Sequence, residues 1–533
     1  MTIRQRVAHQ GKKVLSRPAL LRLMTDDRVM RAAEGVMGAR VRVKAAWKLL
    51  VNGHELPNVD PALDDWHEDV PASASRARNG APSARATNGA THAGPTVTGG
   101  APPSPSSPPR APATTDADMT ASLKERTSLA SIGGRDVFEK AFSFLAADNA
   151  RKMGVYPFFR PLDLADGPEA VIDGRRVVMF GSNNYLGLTT HPKVREAAKA
   201  AIDRFGTSMT GSRLVNGSMK LHEEFEERLA SWFGKESALV FTTGYQVNLA
   251  VCSALLSNKK SVAIVDRNVH ASLYDGVRLG QAAGARLVRY KHSDAESLDR
   301  ALQKLEPGEG ALVITDGVFS AEGEIAKLDR IVPVVKKHGA RLFVDDAHAL
   351  GVIGPGGRGT ADHFGLSSEV DLMGGTFSKS LASIGGWLVG DRKVLDYIRH
   401  FAPSFMFAAA AAPPCIAAAM AAFDVMREEP WRIDKLRENF TYMRDELRRM
   451  GFELGHTETA VIPIYVREDL RTLMMWRDLL DEHGIYVNPF ISPGVPPKSA
   501  MLRTSYMATH ERHHLDRALE GFQAVGKKYG VIS

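Results

Sequence analysis

Lys379 sits within Gly375-Thr376-Phe377-Ser378-Lys379-Ser380, directly after the short apolar run Asp371-Leu372-Met373. A lysine amine can form a Schiff base with an aldehyde, and hydroxyls such as Thr376 and Ser378 can donate to a phosphate. Upstream, Val344-Asp345-Asp346-Ala347-His348 closes an earlier apolar run. A carboxylate at Asp345 would keep a pyridine nitrogen protonated, and His348 could hydrogen-bond a phenolic oxygen. Lysine, aspartate and histidine together point to pyridoxal 5'-phosphate (PLP) and to chemistry through a substrate carbanion. The competing reading of Asp345 and His348 is a metal site. No further ligand cluster lies near them, so no metal is expected.

Three more segments follow apolar runs in the same way. Thr242-Thr243-Gly244-Tyr245-Gln246 follows Ala238–Phe241 and opens a helical pattern reaching Leu256. Backbone N–H groups at such a helix start can cradle an anion, although a glycine there is often purely structural. Asp266-Arg267-Asn268-Val269-His270-Ala271-Ser272 follows Val262–Val265. His270 could stack on a flat ring or simply cap a helix. Asp316-Gly317-Val318-Phe319-Ser320 follows Ala311–Ile314. Ser320 could serve a ring hydroxyl or merely form a turn. Each segment alone is weak; their common position at strand ends makes the set strong, because open parallel sheets bind ligands there.

Those strands imply an α/β fold. The apolar runs 238–241, 262–265, 311–314 and 341–344 are separated by stretches long enough for helices, which predicts a mostly parallel sheet with helices on both faces. After residue 430 the rhythm changes to a charged helix, Ile433 to Met450. Short strands near 460–466 and 485–486 and a last helix, His510 to Tyr529, follow. The partition expected is a basic helical extension over 1–67, an Ala/Pro/Ser/Gly linker over 68–118, and a segment over 119–190 that opens the catalytic unit. A large cofactor domain over 191–430 and a small α+β domain over 431–533 complete it. The linker has too few large apolar residues to offset its chain entropy.

The 533 residues are 44% hydrophobic and 24% charged, with a formal charge of +7. Twelve Lys and Arg lie within residues 1–50, against Asp26, Asp27 and Glu34. This segment reads as a solvated docking helix or as a contact with a partner or an anionic membrane surface. Its Arg-rich, acid-poor start is also compatible with a transit peptide. No apolar run is long enough to span a bilayer. Cys252 and Cys415 fall in apolar stretches and are expected to be buried and reduced, which suits a cytoplasmic protein, peripheral at the inner membrane surface if the basic segment binds lipid.

From about residue 135 onward the chain resembles the α-oxoamine synthases, fold-type I PLP enzymes. The resemblance rests on Asn183-Asn184-Tyr185-Leu186-Gly187, Gly211-Ser212-Arg213, Thr243-Gly244-Tyr245, Asn268 to Ser272, Asp345 to His348, Gly375 to Lys379 and Leu502-Arg503-Thr504-Ser505. It implies a decarboxylating condensation of an amino acid with an acyl-CoA. Lys379 would hold PLP and remove the substrate α-proton, and His270 would cover the ring and assist acyl transfer. Asp345 would pair with the pyridine nitrogen, and His348 and Ser320 would serve its hydroxyl side. Gly244, Tyr245 and Thr376 would hold the phosphate, and Arg503 with Asn183 the substrate carboxylate. A homodimer is implied; no nucleic-acid partner is.

Within the family, Ser378 before the lysine, followed by Gly385-Gly386, is similar to the serine palmitoyltransferases and implies L-serine with a long-chain acyl-CoA. Glycine is usual at that position in 8-amino-7-oxononanoate synthases and 2-amino-3-ketobutyrate ligases (glycine C-acetyltransferases). Those reactions, a carrier-bound acyl donor, or aminotransferase chemistry are the alternatives. One segment departs from the pattern. The family usually has Ser or Thr just before Pro413-Pro414, where the neighbouring subunit touches the phosphate, and here Ala408 to Ala412 fill the run.

Overall fold

The computed structural model describes residues 136–533. The expectations for the extension over 1–67 and the linker over 68–118 lie outside the described residues. Two units divide the chain, 1–153 and 154–533. In the first, the described part contains two short helices, Glu139–Phe142 and Ala146–Lys152, with Phe138, Phe142 and Phe144 exposed.

The second unit is organised around a seven-stranded sheet. In chain order the strands are β1 (Leu164–Asp166), β2 (Glu169–Ile172), β3 (Arg175–Met179), β4 (Ser237–Phe241), β5 (Ser261–Asp266), β6 (Arg286–Tyr290) and β7 (Gly310–Asp316). Then come β8 (Arg341–Asp345), β9 (Leu372–Thr376), β10 (Gly386–Gly390), β11 (Val461–Tyr465), β12 (Ile485–Tyr486), β13 (Asn488–Phe490) and β14 (Met501–Ser505). The central sheet runs β4-β10-β9-β8-β7-β5-β6, and only β10 is antiparallel to its neighbours. Every residue of β5 is buried. Successive side chains point to opposite faces, so both faces of the sheet are covered. The continuous apolar runs read from the sequence are this two-sided burial.

Register decides which side chains can meet. Asp316 on β7 is level with Asp345 on β8, which is level with Gly374 on β9. The reversed strand β10 places Gly386 opposite both Phe241 and Thr376. The turn after β4 and the end of β9 are thereby brought to one edge, although 135 residues separate Phe241 from Thr376. Glycine is required at Gly386, because a Cβ there would lie 2.7 Å from Thr243 O.

Two smaller sheets complete the unit, β1-β2-β3-β12 and β11-β14-β13. Since β12 pairs with β3, chain before residue 191 and chain after 430 share a sheet. Arg503 lies on β14, level with Pro463 on β11 and Asn488 on β13. The charged helix spans Trp431–Arg449 and the last helix Arg512–Lys528. Cys252 is buried, with its thiol pushed up to about 12 by desolvation. Cys415 departs from expectation: it is partly exposed in the first turn of the helix Pro413–Glu428. Both thiols are free.

Candidate active site

The ends of β4, β5, β7, β8 and β9 surround a cavity of about 290 Å³. Gly244, Tyr245, His270, Asp345, His348, Thr376, Ser378 and Lys379 all line it, so the structure brings together eight of the expected residues. Asn183, Ser320 and Arg503 are not in its wall. Instead they cluster with Tyr185, which connects them to His348.

The Lys379 amine lies in a largely desolvated setting that pulls its pKa from 10.5 to about 8. Burial is the main cause; the charge of Arg503 adds to it, while Asp345 and Asp316 oppose it. Asp345 is buried, and its carboxylate accepts from Asn248 Nδ2 at 2.7 Å and from the Ala347 N–H at 3.0 Å. Beside it, Asp316 has its pKa raised well above the usual carboxylate range by burial, and next by the charge of Asp345.

His348 Nδ1 is 2.7 Å from Tyr185 Oη. Desolvation holds His348 well below its ordinary pKa and pushes the Tyr185 phenol up to about 12, so both are neutral. The tyrosine also lies 3.3 Å from Asn183 Oδ1. Toward Asn183 Oδ1 the phenol can only donate, and toward His348 Nδ1 it donates or accepts according to the imidazole tautomer.

At the other end of the cavity, Thr243 caps the helix Gly244–Leu255. Its hydroxyl accepts from Gln246 N at 3.2 Å, and Thr243 N donates to Gln246 Oε1 at 3.1 Å. This capping box leaves the Gly244 and Tyr245 N–H groups for an anion. A Cβ on Gly244 would lie 2.7 Å from Thr376 Cβ, so the close approach needs glycine. Thr376 donates to Gly385 O at 3.0 Å and lies 2.7 Å from Ser378 Oγ. The exposed Ser378 hydroxyl is therefore the one free to turn. The Tyr245 phenol is committed to Asp275. The alanine run bridges Ser212 at Ala409 and bonds Gly211 O through the Ala410 N–H, supplying no hydroxyl.

His270 joins the two readings of the sequence. It caps the helix Ala271–Ala282, with Nδ1 accepting from Ser272 N at 3.3 Å, and it also lines the cavity. Desolvation lowers its pKa.

Arg503 is 3% exposed, and among the described residues no carboxylate pairs with it. Nε donates to Ser320 O at 2.5 Å, Nη1 to Ser505 Oγ at 2.9 Å, and both Nη atoms reach Asn183 Oδ1 at 3.1 Å. The Tyr185 hydroxyl is a further hydrogen-bond partner of the guanidinium. A buried guanidinium without a counter-ion is costly, and a small carboxylate is a ligand that would offset that cost. Ser320 takes part through its carbonyl.

Sequence reasoning did not select Tyr185, Asn248, Ser272 or Asp316 as site residues. Asn248 carried one usable signal: it lies one helical turn beyond Gly244 and so shares its face. Among the described residues no group of three or more His, Cys, Asp or Glu is arranged to hold a metal ion.

Comparison with known proteins gives concordant matches. The aminotransferase class I and II family matches residues 175–522. Serine palmitoyltransferase from Sphingobacterium spiritivorum is 41% identical over 395 residues, 74% of this chain and 98% of that protein. The 8-amino-7-oxononanoate synthase of Thermoanaerobacter pseudethanolicus is 38% identical over 386 residues, 72% of this chain and 96% of that protein. Among solved structures, a variant of serine palmitoyltransferase from S. paucimobilis with bound PLP–myriocin aldimine has a TM-score of 0.72 at 35% identity. It covers 75% of this chain and 100% of that one.

Proposed function

The chain belongs to the aminotransferase class I and II family, among its α-oxoamine synthases, and from that premise we propose that it condenses L-serine with a long-chain acyl-CoA, releasing CO₂ and a 3-oxo-sphinganine-type aminoketone. One observation carries the reaction class. A lysine amine with a depressed pKa shares a cavity with Asp345, His270 and His348, and Arg503 stands behind it without a carboxylate.

The residues present fit PLP. Lys379 is the amine, the Gly244 and Tyr245 N–H groups with Ser378 suit a phosphate, and Asp345 suits a protonated pyridine nitrogen. When bound, PLP supplies a cationic ring that takes up charge from the substrate α-carbon. Lys379 at about 8 is roughly one-quarter neutral at pH 7.5, against about 0.1% for a lysine at 10.5, so it can accept the α-proton. Arg503 and Asn183 orient the serine carboxylate. His348 serves the phenolic side, and His270 covers the ring face. Ser378 and the serine palmitoyltransferase relatives support serine; the 8-amino-7-oxononanoate synthase relatives keep alanine with a shorter acyl donor as the second reading.

Thiol release by the purified protein tests this. Serine with palmitoyl-CoA should release coenzyme A faster than alanine with pimeloyl-CoA or glycine with acetyl-CoA. Preference for either of the latter pairs overturns the substrate assignment.

A homodimer is part of the proposal. Ile384 (59% exposed) at the cavity mouth and Phe407 (73% exposed) in the alanine segment are large apolar groups left uncovered in one subunit. Sedimentation should give twice the chain mass. We also place residues 1–67 at an anionic membrane surface on the cytoplasmic side. Among the described residues no helix is long and apolar enough to cross a membrane. Removing residues 1–118 should abolish sedimentation with phosphatidylglycerol vesicles and spare activity; retained sedimentation refutes the assignment.

A further inference from the structure

A continuous hydrogen-bond chain runs along the cavity wall through Asn248 and Ser272. Asn248 is buried on the helix Gly244–Leu255. Its Nδ2 lies 2.7 Å from Asp345 Oδ2 and 2.8 Å from Ser272 Oγ. Ser272 is buried in the first turn of the helix Ala271–Ala282, and its Oγ lies 2.7 Å from His270 Nδ1. The helices approach closely enough for this contact because Gly276 and Gly280 face the first helix. A Cβ on Gly276 would lie 2.7 Å from Asn248 O, and one on Gly280 would lie 2.7 Å from Leu256 Cβ.

Donor accounting gives the chain a direction. The Asn248 amide cannot be turned over, since Oδ1 would then oppose the Asp345 carboxylate. Its Nδ2 therefore carries two hydrogens, one for Asp345 and one for Ser272 Oγ. The Ser272 hydrogen then goes to the lone pair of His270 Nδ1, which the Ser272 backbone N–H also approaches at 3.3 Å. Two donors on Nδ1 leave the ring proton on Nε2.

We propose that Asn248 and Ser272 are positioning residues that tie Asp345 to His270 and hold His270 as a neutral Nε2–H donor facing the cavity. The role rests on the reading of this cavity as a PLP site. One device would then fix both the carboxylate meant for the pyridine nitrogen and the tautomer of the imidazole meant for the ring face. It also makes His270 a donor to a developing negative charge rather than a base. The charged and titratable groups around His270 are Asp345, Asp316, Asp275, Lys379 and His348. None of them approaches Nδ1, whose partners are the two Ser272 donors.

The test uses PLP-saturated full-length protein and the variants Ser272→Ala, Asn248→Ala, the double variant and Ser272→Cys. Joint neutron and X-ray refinement of the deuterated wild type should place deuterium on His270 Nε2 and none on Nδ1. Loss of the hydroxyl donor in Ser272→Ala should raise the acid limb of the kcat/KM pH profile by about 0.5–1 pH unit, the size of one neutral hydrogen bond. Ser272→Cys, which keeps a hydrogen on a similarly placed atom, should recover part of that shift. The double variant should match Ser272→Ala, because a relay broken once is not broken again. Deuterium on Nδ1, an unmoved acid limb in Ser272→Ala, or additive shifts would overturn the proposal. If the protein takes up no PLP, the cofactor reading fails, and the tautomer in PLP-free crystals still decides the relay.

Discussion

Replacing Lys379 with methionine should stabilise the PLP-free protein at neutral pH. The amine pKa is about 8 in the folded chain, against 10.5 ordinarily, with burial as the leading cause. A protonated lysine is thus less comfortable here than in the unfolded chain by roughly 3 kcal/mol. Its partial exposure to the cavity reduces that to about 1–3 kcal/mol. Methionine has similar length and no charge to desolvate. Between pH 8 and 10.5 the unfolded state binds more protons than the folded state, so wild-type stability rises with pH across that window. Below pH 8 the whole cost of the buried charge persists. The methionine variant should therefore have a higher urea midpoint at pH 7, and the gain should shrink as pH approaches 10.5. PLP must be absent, because a ligand bound through Lys379 stabilises only the wild type. Equal midpoints at pH 7, or a gain as large at pH 10 as at pH 7, would refute the reasoning.

Three further outcomes follow from the site. Arg503→Lys keeps the charge but loses the fork, and should raise KM for the amino acid by about 10–100-fold, the loss of a charge-assisted hydrogen bond, with KM for acyl-CoA little changed in steady-state kinetics. Asp345→Asn should still bind PLP, read by visible absorbance, but lose roughly 100-fold or more in kcat, because an amide does not hold a proton on the ring nitrogen. Gly244→Ala puts a methyl group against Thr376 and should weaken PLP affinity by about tenfold, measured by titration of PLP-free protein.

The strands most visible in the sequence were β4, β5, β7 and β8, because central parallel strands are buried on both faces and read as unbroken apolar runs. Strand β10 left no such mark of its direction: Gly386-Trp387-Leu388-Val389-Gly390 is equally apolar whichever way it runs. Its reversal nevertheless aligns Gly244 with Thr376. The pairing of β12 with β3 joins Ile485 to Val178 across the chain, a contact no local pattern encodes. Lys379, Asp345, His270 and His348 were visible because charged or titratable groups at strand ends are chemically conspicuous. Asn248 and Ser272 were not, since neutral polar residues in a helix look the same whether they face solvent or a carboxylate. Tyr185 was quoted in its motif, yet only the fold places its hydroxyl on His348, 163 residues away.

The central claim is a decarboxylating condensation assembled around Lys379. Serine labelled with ¹⁴C in its carboxyl group, incubated with palmitoyl-CoA and PLP-saturated protein, tests it most directly. The account predicts labelled CO₂ and free coenzyme A in equal amounts, and neither with Lys379→Ala. Coenzyme A release without labelled CO₂, or release of either that survives Lys379→Ala, would contradict it.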